Sequence, residues 1–318
     1  SAMAIPVFNA PGANSNAVKE LVIAAILICA RNIHRAIEFV EDSENPEDFK
    51  KRIENGKSKY IGYELPGKTI GVIGLGAIGV KVSNACLSLG MNVIGFDPMM
   101  TVNNAWELQP GIENSDNLSD LLKKSDVITI HIPSSKETKN FIGNDELSIM
   151  KNNVTLINLS RAEIVDESAI KLCLTENKIK NYVTDFPDES LMGQPNVLLL
   201  PHLGASTKEA ETKCTKMVVK SIRSFLEDGN IYNSVNFPNV HLERKLGSRL
   251  SVTNQNQPNM VGQFTTCLGE AGININDLSH KSFREIGYTL IDIDKLVTPE
   301  ILTKISGIDG VISIKNFN

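Results

Sequence analysis

Four residues between positions 74 and 97 carry the first chemistry legible in this chain. Gly74, Gly76 and Gly79 spell G-x-G-x-x-G within TIGVIGLGAIGVKVSNACLSLGMNVIGFDP, and Asp97 follows eighteen residues after the last glycine. The first glycine permits a tight turn out of a strand, the second lets a pyrophosphate approach the backbone, and the third lets a helix lie close on a sheet. A helix opening at Ala77–Ile78 offers unpaired N–H groups and positive dipole density to phosphates. Asp97 can accept both hydroxyls of a ribose and repels a 2′-phosphate, which favours NAD over NADP.

Three later segments place reactive side chains at the ends of apolar runs: Arg161 in INLSRAEIVD, Asp185 and Glu189 in VTDFPDES, and His202 in LLLPHLGAST. Open α/β sheets bind ligands at the carboxyl ends of their strands, where all three fall. Taken singly, each has a plain structural reading: a surface ion pair for the arginine, turn or capping roles for the acids, a packed histidine after proline. Together they fit oxidation of a 2-hydroxy acid, in which the hydroxyl loses a proton as hydride leaves C2. His202 suits the base. Glu189 would orient the imidazole and stabilise its charged form. Arg161 would hold the carboxylate and polarise the carbonyl in the reverse direction.

The elements that must position these groups alternate. Strands are expected at Thr69–Ile73, Asn92–Phe96, Asp126–Ile132, Val154–Leu159, Tyr182–Phe186 and Val197–Leu200, with helices between them such as Leu118–Lys124 and Asp166–Glu176. This predicts a Rossmann-type α/β fold, a doubly wound parallel sheet covered on both faces. Residues 15–40 read as one long buried helix, and Glu41–Gly67 as a polar surface connection. Ser206 and Glu209 have capping-box spacing and open a helix to about Asp228, with Gly229 as its stop. From Arg249 to Asn318 the order strand, helix, strand, strand, helix, strand predicts a ferredoxin-like βαββαβ domain, joined through the linker His241–Ser248. The expected division is therefore 1–204 for the cofactor domain, 205–240 for a returning helix, and 241–318 for the small domain.

Composition narrows the function classes. A net charge of -5 argues against nucleic acid as the main partner. The five cysteines are scattered without C-x-x-C spacing and read as buried free thiols in a reducing, cytoplasmic setting; no metal-ligand pattern is present. The longest apolar run, Leu21–Ala30, is too short to span a bilayer and reads as a core helix.

With these segments in view, the chain resembles the D-isomer-specific 2-hydroxyacid dehydrogenases. VFNAPGANSNAVKEL, GKTIGVIGLGAIG, INLSRAEIVDE, TDFPDE, PHLGASTKEAE and SVNFP carry the likeness across nearly the whole sequence. The resemblance implies Arg161, Glu189 and His202 as the catalytic set. It implies cofactor contacts from Gly74, Gly76, Ala77, Ile78, Gly79, Asp97, Ile132, Pro133, Asp185 and Gly204, with Asp185 at the nicotinamide carboxamide and Ile132–Pro133 flanking the adenine. It assigns Asn9 to substrate, and offers Lys57 and Lys59 either to a substrate phosphate or to a solvated surface cluster. Residues 249–318 resemble an ACT domain, an amino-acid-sensing module. There Asn256 and Asn274 match positions that hold L-serine, while Asn254 stands where regulated members carry histidine; a domain used only for oligomerisation is the alternative. The implied activity is NAD-dependent oxidation of 3-phospho-D-glycerate to 3-phosphohydroxypyruvate, with another D-2-hydroxy acid as runner-up and a non-catalytic NAD-binding, effector-sensing chain as the reading from a different class. A homodimer or larger assembly is implied as well. Family members begin with most of a substrate-binding lobe that is absent before VFNAP, so little or no turnover by this chain alone is expected.

Overall fold

The computed structural model describes residues 3–42, 48–194, 196–244 and 247–317. The chain divides into two compact units, one of Asn14–Glu211 and one of Ser1–Ala13 with Thr212–Asn318. Residues 1–13, assigned from sequence to the cofactor domain, group instead with the C-terminal unit.

The first unit begins with helices α1 (Ser15–Ala30), α2 (Ile33–Glu41) and α3 (Phe49–Gly56). It continues through β1 (Thr69–Ile73), α4 (Ala77–Ser88), β2 (Asn92–Phe96), α5 (Val102–Glu107), β3 (Glu113–Asn114), α6 (Leu118–Lys124) and β4 (Val127–Ile130). It ends with α7 (Asn144–Ile149), β5 (Val154–Asn158), α8 (Glu167–Thr175), β6 (Ile179–Thr184), β7 (Val197–Leu199) and the first turn of α9 (Lys208–Asp228). All strand pairs are parallel, in the order β3-β2-β1-β4-β5-β6-β7. That order reverses direction between β1 and β4, which is the switch point of a doubly wound sheet. The strands are apolar almost throughout because both faces are covered. Ile70, Val72, Val127 and Ile157 face Val22, Ile26, Val80 and Val82 of α1 and α4. Ile73, Ile128, Ile130 and Leu156 face Leu121, Leu147 and Ile170 of α6, α7 and α8.

Three expectations about helices need correction. The apolar stretch 15–40 is two helices, because Asn32 adopts a left-handed backbone (φ 50°) and its side-chain amide donates to the carbonyl of Ile61 at 3.2 Å. Within Glu41–Gly67, α3 and a 3-10 turn at Lys57–Tyr60 stand where a plain connection was expected; positions 43–47 lie outside the described residues. The cap of α9 is Thr207, whose Oγ1 accepts from the Ala210 N–H at 3.1 Å, and not Ser206. Gly229 (φ 70°) does end that helix, its N–H reaching the Phe225 carbonyl at 3.0 Å. The two-residue β3 is polar, and nothing in its composition announced a strand.

The second unit has β8 (Ser248–Gln255), α10 (Met260–Glu270), β9 (Ile275–Phe283), β10 (Ile286–Ile293), α11 (Pro299–Ser306) and β11 (Val311–Phe317). Its antiparallel sheet runs β11-β8-β10-β9, the ferredoxin-like arrangement that the element order predicted. One face packs Leu250, Val252 and Ile291 against Phe264, Leu268 and Ile305 of the two helices. The other packs Tyr288 and Leu290 against Phe225, Phe237 and Val240. On that second face Arg249 is fully buried and pairs bidentately with Asp292, at 2.5 and 2.8 Å. Its remaining N–H groups donate to the carbonyls of Asp228, Leu242 and Glu243 at 2.9–3.1 Å. Positions 245–246 of the expected linker lie outside the described residues.

No helix among the described residues is long and apolar enough to cross a membrane. Cys29, Cys86 and Cys173 are buried, while Cys214 and Cys267 are only half-buried. Burial pushes the Cys29 and Cys86 thiols up to about 12, so neither is a nucleophile near neutrality.

Candidate active site

The glycine turn between β1 and α4 is built as the pattern requires. Gly74 has φ 89°, and a side chain there would meet the His131 carbonyl oxygen at 2.7 Å. A Cβ on Gly79 would fall 1.9 Å from the Gly74 carbonyl oxygen, so only glycine lets α4 sit this close to the turn. Gly76 is the opposite case: no heavy atom lies within 4 Å of the position its Cβ would take. The turn is therefore closed where it packs and open where a pyrophosphate would approach. Asp97 stands at the end of β2 with its carboxylate held at both oxygens, Oδ2 by the Leu75 N–H at 2.8 Å and Oδ1 by the Met99 N–H at 2.8 Å. Each oxygen keeps a lone pair for a ribose hydroxyl.

Ile132 and Pro133 follow β4 directly, and Ile132 touches the glycine turn, 2.8 Å from the position a Gly74 Cβ would take. His131, just before them, is a residue that sequence reasoning missed. Its Nε2 is 3.0 Å from Thr129 Oγ1, and its Nδ1 is buried without a partner. Burial holds this imidazole down to about 3, so it is neutral at working pH.

The other end of the site lies beyond β5, β6 and β7. Asp185 is 1% exposed. Its Oδ2 accepts the Gly204 N–H at 3.0 Å, and its Oδ1 is buried with no partner. Gly204 thus orients the acid, and a Cβ there would crowd Asp185 Oδ2 at 3.1 Å. The Asp185 carbonyl takes the His202 N–H at 2.9 Å, which fixes the histidine backbone in the left-handed region (φ 50°). The His202 ring is exposed and packs on Phe186, with centroids 4.9 Å apart. These residues line one wall of a cleft of about 320 Å³ with Tyr182, Thr184, Pro187 and Leu191.

Arg161 is exposed just past β5, and its one recorded side-chain bond goes to the Ser160 carbonyl at 2.6 Å. Glu189 is exposed at the start of a 3-10 turn, Glu189–Leu191, pinned by Ser190 Oγ donating to Glu167 at 2.9 Å. Among the described residues neither the Glu189 carboxylate nor the His202 ring has a hydrogen-bond partner. Arg161, Glu189 and His202 therefore share one sheet edge, but the acid and the imidazole are not joined.

Sequence reasoning also missed Asn158, Tyr182 and Phe186. Asn158 had one available signal, an amide two residues before a serine at the close of a buried strand, which is Asx-turn spacing. Tyr182 on β6 and Phe186 in the loop just after it are aromatic positions that only packing distinguishes.

Asn9 lies in the second unit, exposed, with its backbone N–H on the Asn233 carbonyl at 3.0 Å. In the same unit Asn254 is buried on β8, donates to the Gln255 carbonyl at 2.6 Å and leaves Oδ1 unpartnered. Asn256 holds the tip of the β9–β10 hairpin through the Arg284 carbonyl at 2.9 Å. Asn274 precedes β9 and bonds Asp294 Oδ1 through its backbone at 3.0 Å. Asn256 and Asn274 are therefore at opposite ends of β9, about 26 Å apart along a strand of this length. One chain does not bring them together.

A glycine turn at the switch point of a parallel sheet, an acid after β2, and an arginine, a glutamate and a histidine along the same carboxyl edge define the class. The chain belongs to the D-isomer specific 2-hydroxyacid dehydrogenases: residues 23–204 match that family's NAD-binding domain. Among curated proteins it is similar to the D-3-phosphoglycerate dehydrogenase of Methanocaldococcus jannaschii, 33% identical over 99% of this chain and 59% of that protein. It is 32% identical to the D-3-phosphoglycerate dehydrogenase of Escherichia coli K12, over 97% of this chain and 75% of that one. The chain thus spans about three-fifths to three-quarters of these relatives. Among solved structures it resembles an acyclic imino acid reductase in complex with NADPH and D-Arg, 30% identical at a TM-score of 0.63, covering 73% of this chain and 71% of that one. It also resembles D-2-hydroxyisocaproate dehydrogenase, 25% identical at 0.64, covering 73% and 72%.

The residues present fit the family's cofactor. The open cradle at Gly76 suits a pyrophosphate, and Asp185 Oδ1, buried and without a partner among the described residues, is an acceptor that a bound amide could complete.

Proposed function

We propose that this chain oxidises a 2-hydroxy acid with NAD, and that the acid is 3-phospho-D-glycerate. Asp185 carries the reading. A buried carboxylate with an unmet acceptor is costly unless a ligand completes it, and the same residue's backbone fixes His202. NAD, when bound, supplies the hydride acceptor. His202 takes the hydroxyl proton at its exposed ring, and Phe186 limits the ring's swing. Arg161 receives the substrate carboxylate with guanidinium donors that no protein side chain occupies. Glu189 reaches His202 only after a movement of the turn 189–191, a closure that substrate binding would drive. Support for phosphoglycerate comes from the names of the curated relatives.

The C-terminal unit is read as an ACT-type module. An L-serine site using Asn256 and Asn274 needs two copies of the chain, since one copy separates them. Self-association also fits α2, whose Ile37 and Val40 are 51% and 44% exposed. Light scattering checks the dimer, and a serine titration followed by amide NMR checks the effector.

The deciding assay follows NADH formation with 3-phosphoglycerate, D-lactate and D-glycerate. In a chain supplied with the family's substrate-binding lobe the reading expects NADH from 3-phosphoglycerate before the others, and a roughly hundredfold or greater loss in His202→Ala. NADH from D-lactate alone would move the substrate. NAD binding with no turnover on any acid would reduce the chain to a cofactor-binding one.

A further inference from the structure

We propose that Asn158 is the positioning residue for Arg161: its buried side-chain amide ties down the Ser160–Arg161 turn and so aims the guanidinium that receives the substrate carboxylate. The proposal rests on the reading of Arg161 given above. Asn158 is the last residue of β5 and is 0% exposed. Register places it between Ile130 of β4 and Thr184 of β6, in the interior of the sheet. Its Oδ1 accepts twice from Ser160, from the backbone N–H at 3.2 Å and from Oγ at 2.8 Å. Its Nδ2 donates to the Arg161 carbonyl at 2.8 Å. Tyr182 of β6 stands diagonally across from Asn158 in the register, two residues before Thr184.

A primary amide has two donor and two acceptor positions, and here they hold two consecutive residues of the loop. The contrast with Arg161 itself is the point. Its side chain has no fixed partner beyond the neighbouring carbonyl, so its direction is set by its backbone, and that backbone is set by Asn158. No other side chain reproduces the pattern. Aspartate keeps the acceptors for Ser160 but turns the Arg161 contact into oxygen against oxygen, with a buried charge. Leucine removes every bond. Loss of this anchor lets the guanidinium wander by an ångström or more, and misplacement on that scale costs large factors in binding and rate.

The test is a titration of the NADH-loaded chain with oxalate, whose carboxylate–carbonyl spacing mimics a 2-oxo acid, followed by calorimetry and by the Ser160 and Ala162 amide resonances. Arg161→Ala is expected to abolish oxalate binding. Asn158→Ala is expected to weaken it about tenfold or more, and Ser160→Ala, which removes one bond to the amide, to weaken it less, in the same direction. NADH affinity, read by energy transfer from Trp106, the chain's single tryptophan, should stay within about twofold in Arg161→Ala, Asn158→Ala and Ser160→Ala. In turnover of a 2-oxo acid the Asn158→Ala loss should fall mainly on KM. A merely structural role would lower the melting temperature and leave oxalate affinity unchanged; that result, with Arg161→Ala defective, overturns the proposal alone. Oxalate affinity indifferent to Arg161→Ala, or no oxalate response in the unmodified chain, overturns the reading of Arg161 and this proposal with it. If Asn158→Ala does not fold, Ser160→Ala removes the Oγ bond to the amide, and unmodified oxalate affinity in that variant overturns the proposal.

Discussion

Two side chains set the chemistry of the cofactor edge by opposite means. Asp97 is charged, half-buried and satisfied by two backbone N–H groups, so it is rigid before any ribose arrives. Asp97→Ala removes a charge-assisted acceptor and strands those N–H groups. NAD affinity should fall roughly tenfold to a hundredfold and its advantage over NADP should narrow, as measured by calorimetry with both cofactors. Equal affinity for the two in the unmodified chain would remove Asp97 from the selectivity argument. His131 is the reverse, a neutral ring held in the fold. Burial lowers it from 6.5 to about 3, so between those values the unfolded chain binds a proton that the folded chain refuses. Its contribution to stability is therefore complete above pH 6.5 and is lost as pH falls toward 3, with a slope of up to about 1.4 kcal/mol per pH unit. Urea unfolding across that range should show the decline, and His131→Gln should flatten it. An unchanged slope in the variant would assign acid sensitivity elsewhere.

Among the elements, the turn from β1 into α4 separates packing from binding within six residues. Gly79→Ala places a methyl 1.9 Å from a backbone oxygen, and α4 must move off the sheet. This variant should lose several kcal/mol of stability, as overpacked sites do at about 1–3 kcal/mol or more, and NAD binding with it. Gly76→Ala meets nothing in the protein and should melt like the unmodified chain while losing NAD. Thermal melts with and without NAD distinguish them; a Gly76→Ala chain that still binds NAD normally would place the pyrophosphate elsewhere. The strands other than β3 were legible as short apolar runs, and α4, α6 and α8 as the segments between them, because both signals are local. The break between α1 and α2 was not. Asn32 is an unremarkable residue inside an apolar stretch, and what ends α1 is the Tyr60–Ile61 backbone arriving to accept its amide.

For the whole molecule, the second unit depends on one ion pair formed across 43 residues of chain. Arg249 satisfies Asp292 and three carbonyls at once, and all of these groups would be stranded without it. Arg249→Met should destabilise by about 3–5 kcal/mol, the usual cost of removing one member of a buried pair. Adding Asp292→Leu should recover part of that loss and not all, since the carbonyls stay unpaired. Denaturant unfolding followed by circular dichroism checks both variants, and an Arg249→Met chain as stable as the unmodified one would show that water reaches this pair.

What the sequence by itself determined was whatever is encoded over a few residues. The fold class followed from alternating apolar runs, the cofactor turn from three glycines and an acid, and the places of Arg161, Glu189 and His202 from their positions after strands. The βαββαβ order of the second unit followed in the same way. What only the tertiary structure decided were the meetings of groups far apart in the chain. Gly204 completes one oxygen of Asp185 and nothing completes the other. Asn158, whose amide holds the Arg161 carbonyl, is buried between Ile130 and Thr184 of the neighbouring strands. Asn256 and Asn274, assigned by resemblance to one effector site, stand near the two ends of β9. The physical reason is that backbone propensity and burial period act locally and repeat, whereas a side-chain polar contact depends on which strands lie side by side and in what register, and that is fixed only when the sheet closes.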